Sequence, residues 1–310
     1  MAKKKKIHFT GIGSPVIYDL AIALLQRGYE VTGSAGSPPE EMANLRLAEF
    51  NLTPPIGWRP ELLTPNLDAV IIAPQVPRDN PELHRALELK IPVFSYPEYI
   101  YEECSNKHRI VVTGSSGKTM IALLIMHVLH YHNRSFDYVL SKPIPGIKDS
   151  IRLTDAPLVI IEGQDGKASC LDPTTIFLKY QHHIGVISGI EWSGSPDYPT
   201  KNEYTQQFTR FETSTPKGGV LIYFDLEPVL AAISKEHQPD VLYIPYKTHP
   251  SQFEGGQEFL LESSTERHPV RLSGKHNMQN ISAAKETLKK LGVTSSMFYE
   301  ALRHFGGDSL

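Results

Sequence analysis

Cysteine is scarce: Cys104 and Cys170 are the only two in 310 residues. They lie far apart, with no CxxC and no His/Cys spacing around them. That excludes a disulfide framework and a structural zinc, and it points to a reducing compartment. Long apolar runs are also missing. The longest stretch, Met120 to Leu129, is broken by His127 and is too short to cross a bilayer. No apolar h-region or cleavage site follows the first lysines, so no signal peptide is read. Neither sign of charge dominates, with 31 Lys+Arg against 34 Asp+Glu and a net charge of −3. Whole-molecule attraction to nucleic acid or to an anionic membrane is thereby excluded. The one basic run, Lys3 to Lys6, contacts too few phosphates to act as an arm and reads as a solvated strand entrance. Repeats and low-complexity tracts are lacking too. The expectation is a cytoplasmic protein with no nucleic-acid partner and no membrane insertion.

What is present is an ordinary soluble composition, 40% hydrophobic and 21% charged, in a chain long enough for two domains. The first hundred residues alternate strand and helix. Ile7–Thr10 reads as a buried strand, Val16–Arg27 as an amphipathic helix ended by Gly28, and Glu30–Thr32 as a second strand leading to Gly33-Ser34. A helix near Glu40–Phe50 precedes Ala69–Ala73, which is apolar on both faces as a central parallel strand requires. Asn80-Pro81-Glu82-Leu83 opens a helix, and Ile91–Phe94 supplies another strand. This βαβ rhythm implies a parallel sheet with ligands at the carboxyl ends of its strands.

A polar stretch at Ser105–His108 interrupts the pattern and marks a domain boundary. Beyond it, Arg109–Thr113 reads as a strand, Lys118–His130 as a long helix, and Leu158–Glu162, His183–Ser188, Gly219–Tyr223 and Val241–Pro245 as strands. Helices are expected at Asn277–Leu291 and Ser295–His304, with loop tips at Gly255-Gly256 and Ser263-Ser264-Thr265. His182-His183 reads as a strand entrance, because adjacent side chains in a strand point to opposite faces.

The strongest local signal is Thr113-Gly114-Ser115-Ser116-Gly117-Lys118-Thr119, set between an apolar strand and a helix. Glycines let backbone N–H groups close around phosphate oxygens, and the helix N-terminus adds a positive field. Lys118 can reach the β and γ phosphates of a nucleotide and the Thr119 hydroxyl can hold Mg²⁺. The first glycine of the general phosphate loop is replaced by Val112, so the loop is a compact G-x-x-G-K-T variant. Gly11-x-Gly13 also follows a strand and opens a helix, but the third glycine of G-x-G-x-x-G is Val16. The acid that would bind a ribose at the end of strand two is missing as well, since Gly33-Ser34-Ala35-Gly36 stands there. Both departures disfavour NAD, and the turn is as well explained by structure as by a dinucleotide.

Two such turns in series resemble the Mur ligases, which use ATP to make an acyl phosphate that an amine attacks. Lys6–Gly13, Gly28–Ser34 and Asp79-Asn80-Pro81-Glu82 look like segments of one branch. That branch holds UDP-N-acetylmuramate–L-alanine ligase and murein peptide ligase. Val159-Ile160-Ile161-Glu162 resembles the strand that ends in a Mg²⁺-binding glutamate. Leu171-Asp172 through Phe177–Tyr180 is closer to murein peptide ligase, and Gly274–Asn280 looks like the G-x-H-N-x-x-N that approaches adenine. The resemblance implies an α/β protein in two parts. Residues 1–107 would form a Rossmann-like parallel-sheet domain for the UDP-sugar, and residues 108–310 a central P-loop-type ATP-binding α/β domain. The C-terminal amino-acid domain is expected to be absent, the chain ending near Phe305-Gly306-Gly307.

The implied sites follow residue by residue. UDP-N-acetylmuramate would meet Gly11, Gly13, Ser14, Ser34, Asp79 and Asn80, although capping of the next helix explains Asp79 and Asn80 equally well. ATP would meet Gly114, Ser115, Ser116, Gly117, Lys118, Thr119, His276, Asn277 and Asn280. Mg²⁺ would be held by Thr119 and Glu162, with Lys118 and Glu162 catalytic, and the second substrate would be an amino acid or peptide amine. The departures matter. Ser116 replaces a histidine of the loop, and Gly163–Lys167 thins an acidic cluster. Gly194 aligns with a metal-binding histidine, Ser193 with an acid, and Ala35 with the Asp of a GSD. They support a second reading, a degenerate paralogue that binds nucleotide without ligating. Trp192 reads as packing, and Lys167 as solvated or as an offset to phosphate charge.

Overall fold

The computed structural model describes residues 4–38, 41–226 and 238–306, with the backbone alone at Met42. Lys3, Glu40 and Gly307, which figure in the expectations above, lie outside the described residues.

The first sheet is built from β1 (Lys6–Thr10), β2 (Glu30–Ser34), β3 (Ala69–Ile72) and β4 (Val93–Ser95). All pairs are parallel, in the order β2-β1-β3-β4. The run apolar on both faces is the reason β3 lies inside, and all four of its residues are buried. α1 (Pro15–Gln26), α2 (Glu41–Ala48) and α3 (Pro81–Glu88) are its helices. Pro15 at the start of α1 suits a position whose N–H has no helical partner. The expected end of β2 at Thr32 is corrected: the strand runs on through Gly33, paired with Phe9, and Ser34, paired with Thr10. Gly33 is a packing glycine. A Cβ there would come within 3.0 Å of Ile12 Cδ1, so the lack of a side chain lets the strand continue beneath the turn.

α4 (Tyr96–Cys104) leads out of this sheet, its start fixed by Ser95 N and Oγ donating to Glu98 Oε2 at 2.9 and 2.6 Å. The second sheet begins at β5 (His108–Thr113) and continues with β6 (Asp137–Val139), β7 (Ile151–Arg152), β8 (Leu158–Glu162), β9 (Ile184–Ile187), β10 (Val220–Phe224) and β11 (Leu242–Tyr246). Its order is β11-β10-β9-β5-β8-β6-β7, parallel apart from β7. α5 (Lys118–Tyr131) and α7 (Lys275–Lys290) pack on one face, with α8 (Ser295–Leu302) against α5. α6 (Lys201–Thr213) precedes β10. The two loop tips prove to be the turns of a three-stranded antiparallel sheet, β12 (Ser251–Glu254), β13 (Gln257–Leu261) and β14 (Arg267–Val270). His182 and His183 stand just before β9: His182 is buried against Phe211, and His183 Nδ1 accepts from Arg109 N at 3.1 Å.

Polar ties cross between the sheets. Asp19 of α1 and Asp149 both pair with Arg46 of α2, and Ser150 N donates to Asp19 Oδ2 at 2.9 Å. Lys179 bridges Glu98 of α4, at 3.1 Å, and Asp172. No helix among the described residues is long and apolar enough to cross a membrane.

Candidate functional site

In each sheet the first strand is flanked on both sides by later strands, and the turn after it opens where the chain direction of the order reverses. Ligands of open α/β sheets bind at that switch point.

In the first sheet the turn is pinned from below. Gly11 N and Ile12 N donate to the carbonyl of Ser34 at 3.0 and 2.9 Å. Gly11 holds φ +88, and a Cβ there would touch Ala73 Cβ at 3.0 Å. Above the turn lies a cavity of about 470 Å³ whose lining includes Gly13, Ser14, Gly36, Trp58 and Gln75. Ser14 precedes α1 in extended conformation without a side-chain cap bond. Pro15 has no N–H, and Ile17 N and Tyr18 N donate to Ser14 O at 3.0 Å, so Val16 carries the first amide the helix start can offer an anion. Ser34, Asp79 and Asn80 do not line it. Ser34 is buried and holds the turn through its carbonyl, Asp79 is exposed, and Asn80 caps α3 by accepting from Glu82 N at 2.8 Å and Leu83 N at 3.2 Å. Trp58 and Gln75 were not anticipated. A Cβ on Gly36 would fall 2.5 Å from the Trp58 ring, so the indole lies on bare backbone, a contact the sequence does not advertise.

In the second sheet, β5 delivers Gly114 at φ +130 and Gly117 at φ +80, the latter heading α5. The loop is braced by β9's end. Ser188 N donates to Thr113 O and Ser115 N to Gly189 O, at 2.9 and 3.0 Å, while Ser188 Oγ donates to Ser116 O. Lys118 Nζ rests on the carbonyl of Gly114. Glu162 ends β8 with 3% exposure. Its Oε1 accepts from Thr119 Oγ1 at 2.6 Å and its Oε2 from Ser141 N at 3.0 Å. No basic side chain pairs with it among the described residues. A buried carboxylate held only by neutral donors is an uncompensated negative charge. Two adjacent hard oxygens suit Mg²⁺, which keeps its waters and takes few protein ligands. Among the described residues no group of three His, Cys, Asp or Glu could hold a metal.

The remaining ATP candidates converge only in part. Asn280 of α7 is buried, and a Cβ on Gly117 would fall 2.3 Å from its Oδ1. His276 is exposed at the start of α7, and Asn277 Nδ2 donates to Ser273 O at 2.8 Å. Beside Ser115 a small cavity of about 90 Å³ is lined by Asp165, Glu191, Gly194 and Tyr204 among others. Gly194, at φ +93, has open space where a Cβ would stand. Trp192 donates to Tyr198 O at 3.0 Å and packs on the core, as expected.

Comparison with known proteins fits this geometry. Residues 6–108 match the model described as the Mur ligase family, catalytic domain. A UDP-N-acetylmuramate–L-alanine ligase of Dictyoglomus turgidum is 28% identical over 319 aligned residues, covering 99% of this chain and 66% of that protein. The chain belongs to the Mur ligase family. It spans about two thirds of the length of the curated relatives it matches, 66% in both Dictyoglomus turgidum and Aquifex aeolicus. Among solved structures, the UDP-N-acetylmuramate:L-alanyl-gamma-D-glutamyl-meso-diaminopimelate ligase from Neisseria meningitides aligns with TM-score 0.86 at 20% identity, covering 98% of each chain. The UDP-N-acetylmuramate–alanine ligase from Thermotoga maritima aligns with TM-score 0.73 at 20% identity, covering 97% of this chain and 68% of that one. These structures share the fold, the mixed α/β architecture with parallel sheets expected from the Mur ligase resemblance.

Proposed function

We propose that this Mur ligase chain takes UDP-N-acetylmuramate on the turn at Gly11–Ser14 and ATP on the loop at Gly114–Thr119. The two sites make residues 1–107 the UDP-sugar part and residues 108–310 the ATP part of a cytoplasmic ligase of the peptidoglycan precursor. The single observation that carries this is Glu162. Among the described residues it is buried without a counter-ion and tied to Thr119, at the mouth of a loop whose Lys118 pairs with no carboxylate there.

The reaction is phosphoryl transfer to the sugar's carboxylate, giving an acyl phosphate that an amine then opens, with loss of phosphate. L-Alanine or a recycled peptide such as L-alanyl-γ-D-glutamyl-diaminopimelate would supply the amine. The backbone of Gly114–Gly117 orients the phosphates, and Lys118 leaves the Gly114 carbonyl to meet the charge of the migrating group. Such chemistry runs on positioning and charge neutralisation. Mg²⁺, held by Thr119 and Glu162, would supply further neutralisation on the phosphate oxygens.

A second reading, a nucleotide-binding paralogue without ligase activity, is favoured by one observation: no three-ligand metal group exists among the described residues. Calorimetry with ATP–Mg²⁺ and with UDP-N-acetylmuramate, followed by mass detection of the amide product with either amine, separates the two. Binding of both ligands with product supports the ligase, and binding without product supports the paralogue. Binding of neither refutes both.

A further inference from the structure

The carboxylate of Glu162 does not stand alone. Its Oε2 accepts from Ser141 N, and the carbonyl of the same Ser141 accepts from Gln164 Nε2 at 3.2 Å. Gln164 Oε1 in turn accepts from Tyr96 OH at 2.9 Å. Tyr96 opens α4, the helix that leaves the first sheet, and is 2% exposed. Four side chains and the backbone of one residue thus form a line: Tyr96, Gln164, Ser141, Glu162, Thr119. Every donor in it has one acceptor, and the direction is fixed at the Ser141 carbonyl. That oxygen can only accept, so the Gln164 NH₂ must face it and Gln164 Oε1 is left for the Tyr96 hydroxyl. Gln164 is thereby locked in one amide orientation, with its NH₂ turned to Ser141.

We infer that Tyr96 and Gln164 are positioning residues that aim the Glu162 carboxylate at the cation accompanying the nucleotide, acting through the Ser141 backbone. A carboxylate fixed by two donors, one on each oxygen, presents its remaining lone pairs in a set direction. Loss of the line leaves Ser141 free to shift and Glu162 to turn. Gln164 suits the role better than an acid in its place: a carboxylate could not donate to the Ser141 carbonyl and would add repulsion beside Glu162. The inference rests on the reading of Glu162 and Thr119 as the Mg²⁺ donors.

The test measures ATP affinity of the full chain with and without Mg²⁺, for wild type, Tyr96→Phe, Gln164→Leu and the double variant. Tyr96→Phe deletes one oxygen and keeps the ring in the core, and melting curves confirm folding. The expected result is that Mg²⁺-free affinity is unchanged. The tightening brought by Mg²⁺ shrinks about three- to tenfold in each single variant, the range for one hydrogen bond in a line. The double variant should lose no more than the worse single, since one line is broken once. Folded variants that keep the full Mg²⁺ advantage overturn the inference. A loss that appears equally without Mg²⁺ also overturns it, because it would report general damage. A wild-type chain that gains nothing from Mg²⁺ sinks the reading of Glu162 itself, a distinct outcome seen before any variant is made.

Discussion

Gly117→Ala is the sharpest probe of how the phosphate loop is assembled. Two separate costs follow from the geometry. Gly117 holds φ +80, where an alanine pays about 1–2 kcal/mol for the left-handed backbone, partly offset by about 0.4–1 kcal/mol from a stiffer unfolded chain. Its new Cβ would also fall 2.3 Å from Asn280 Oδ1. Asn280 is 3% exposed, so it can yield only by leaving its rotamer, at about 0.5–1.5 kcal/mol. The total is about 0.5–3 kcal/mol. Gly292 supplies the control: φ is +75 with nothing within 4 Å of its Cβ position, so Gly292→Ala carries the backbone cost alone. Urea unfolding of both variants should show Gly117→Ala the worse by about 1 kcal/mol. In an Asn280→Ala background that excess should vanish, leaving a coupling of the same size. Equal costs for the two glycines, or an excess that survives removal of Asn280, would mean that the start of α7 does not press on the loop. The whole case for Asn280 as part of the nucleotide site would go with it.

Three further outcomes are expected. Lys118→Ala should weaken ATP–Mg²⁺ binding about tenfold or more, the worth of a charge-assisted bond, without altering UDP-N-acetylmuramate binding; equal affinities by calorimetry would remove the loop from the argument. His182, buried on Phe211 with its pKa pushed down to about 3 by burial and then by His183 and Arg109, is neutral when folded and takes a proton only on unfolding below the ordinary value of 6.5. Stability present above 6.5 is therefore lost as pH falls towards 3. Between pH 7.5 and 5 the loss should be about 2 kcal/mol, and His182→Gln should show a fall smaller by that amount. Gly194→His should steepen the Mg²⁺ dependence of nucleotide binding, because its site opens on the cavity shared with Ser115, while costing about 1–2 kcal/mol for φ +93; an unchanged Mg²⁺ dependence would place the added imidazole away from the cation.

The two turns were legible in the sequence because their chemistry is local. A strand, a glycine at positive φ and a helix start are contiguous, and Thr113–Thr119 shows all three. Glu162 could be read too, since β8 ends there on the edge that carries the loop. Other parts of the site are made of contacts with no local signature. Ser141 contributes a backbone N–H and a carbonyl, which any residue could supply, and Ser188 braces the loop from a strand seventy-odd positions on in register with β5. Gln164 could be seen only as a departure from an acidic cluster; its meaning lies in Tyr96, which the chain brings across from α4. α4 itself was overlooked because Pro97 and the run of tyrosines and glutamates hide its period, although Ser95 and Glu98 spell a capping box. β12 to β14 gave away only their turns: they are short, and the buried positions do not read as an apolar alternation, Glu258 being one of the two in β13. Asn80 shows the capping alternative at work. A side chain next to a proline at a helix start has a capping duty before any ligand claims it, and the structure spends it there.

The retained and altered residues divide by what each must do. Holding one Mg²⁺ on a nucleotide asks little of the protein, because phosphate oxygens and water complete most of an octahedral shell. Thr119 and Glu162 would meet that demand, with the line through Ser141, Gln164 and Tyr96 keeping the carboxylate aimed. The departures at Ser116 and Gly194 take nothing from this first task. Gly194 falls instead on the side of the loop where Ser115 shares a cavity with Asp165 and Glu191, and there Tyr204 OH already donates to Asp165 at 2.9 Å. A further cation on that side would have to compete with Tyr204 for Asp165 and would find no histidine at Gly194. On the proposed reading the two sides of the loop would therefore hold separate cations. Variants on the Glu162 side should weaken the Mg²⁺-dependent affinity that exists, whereas Tyr204→Phe would release Asp165 and Gly194→His would add a donor on the other side.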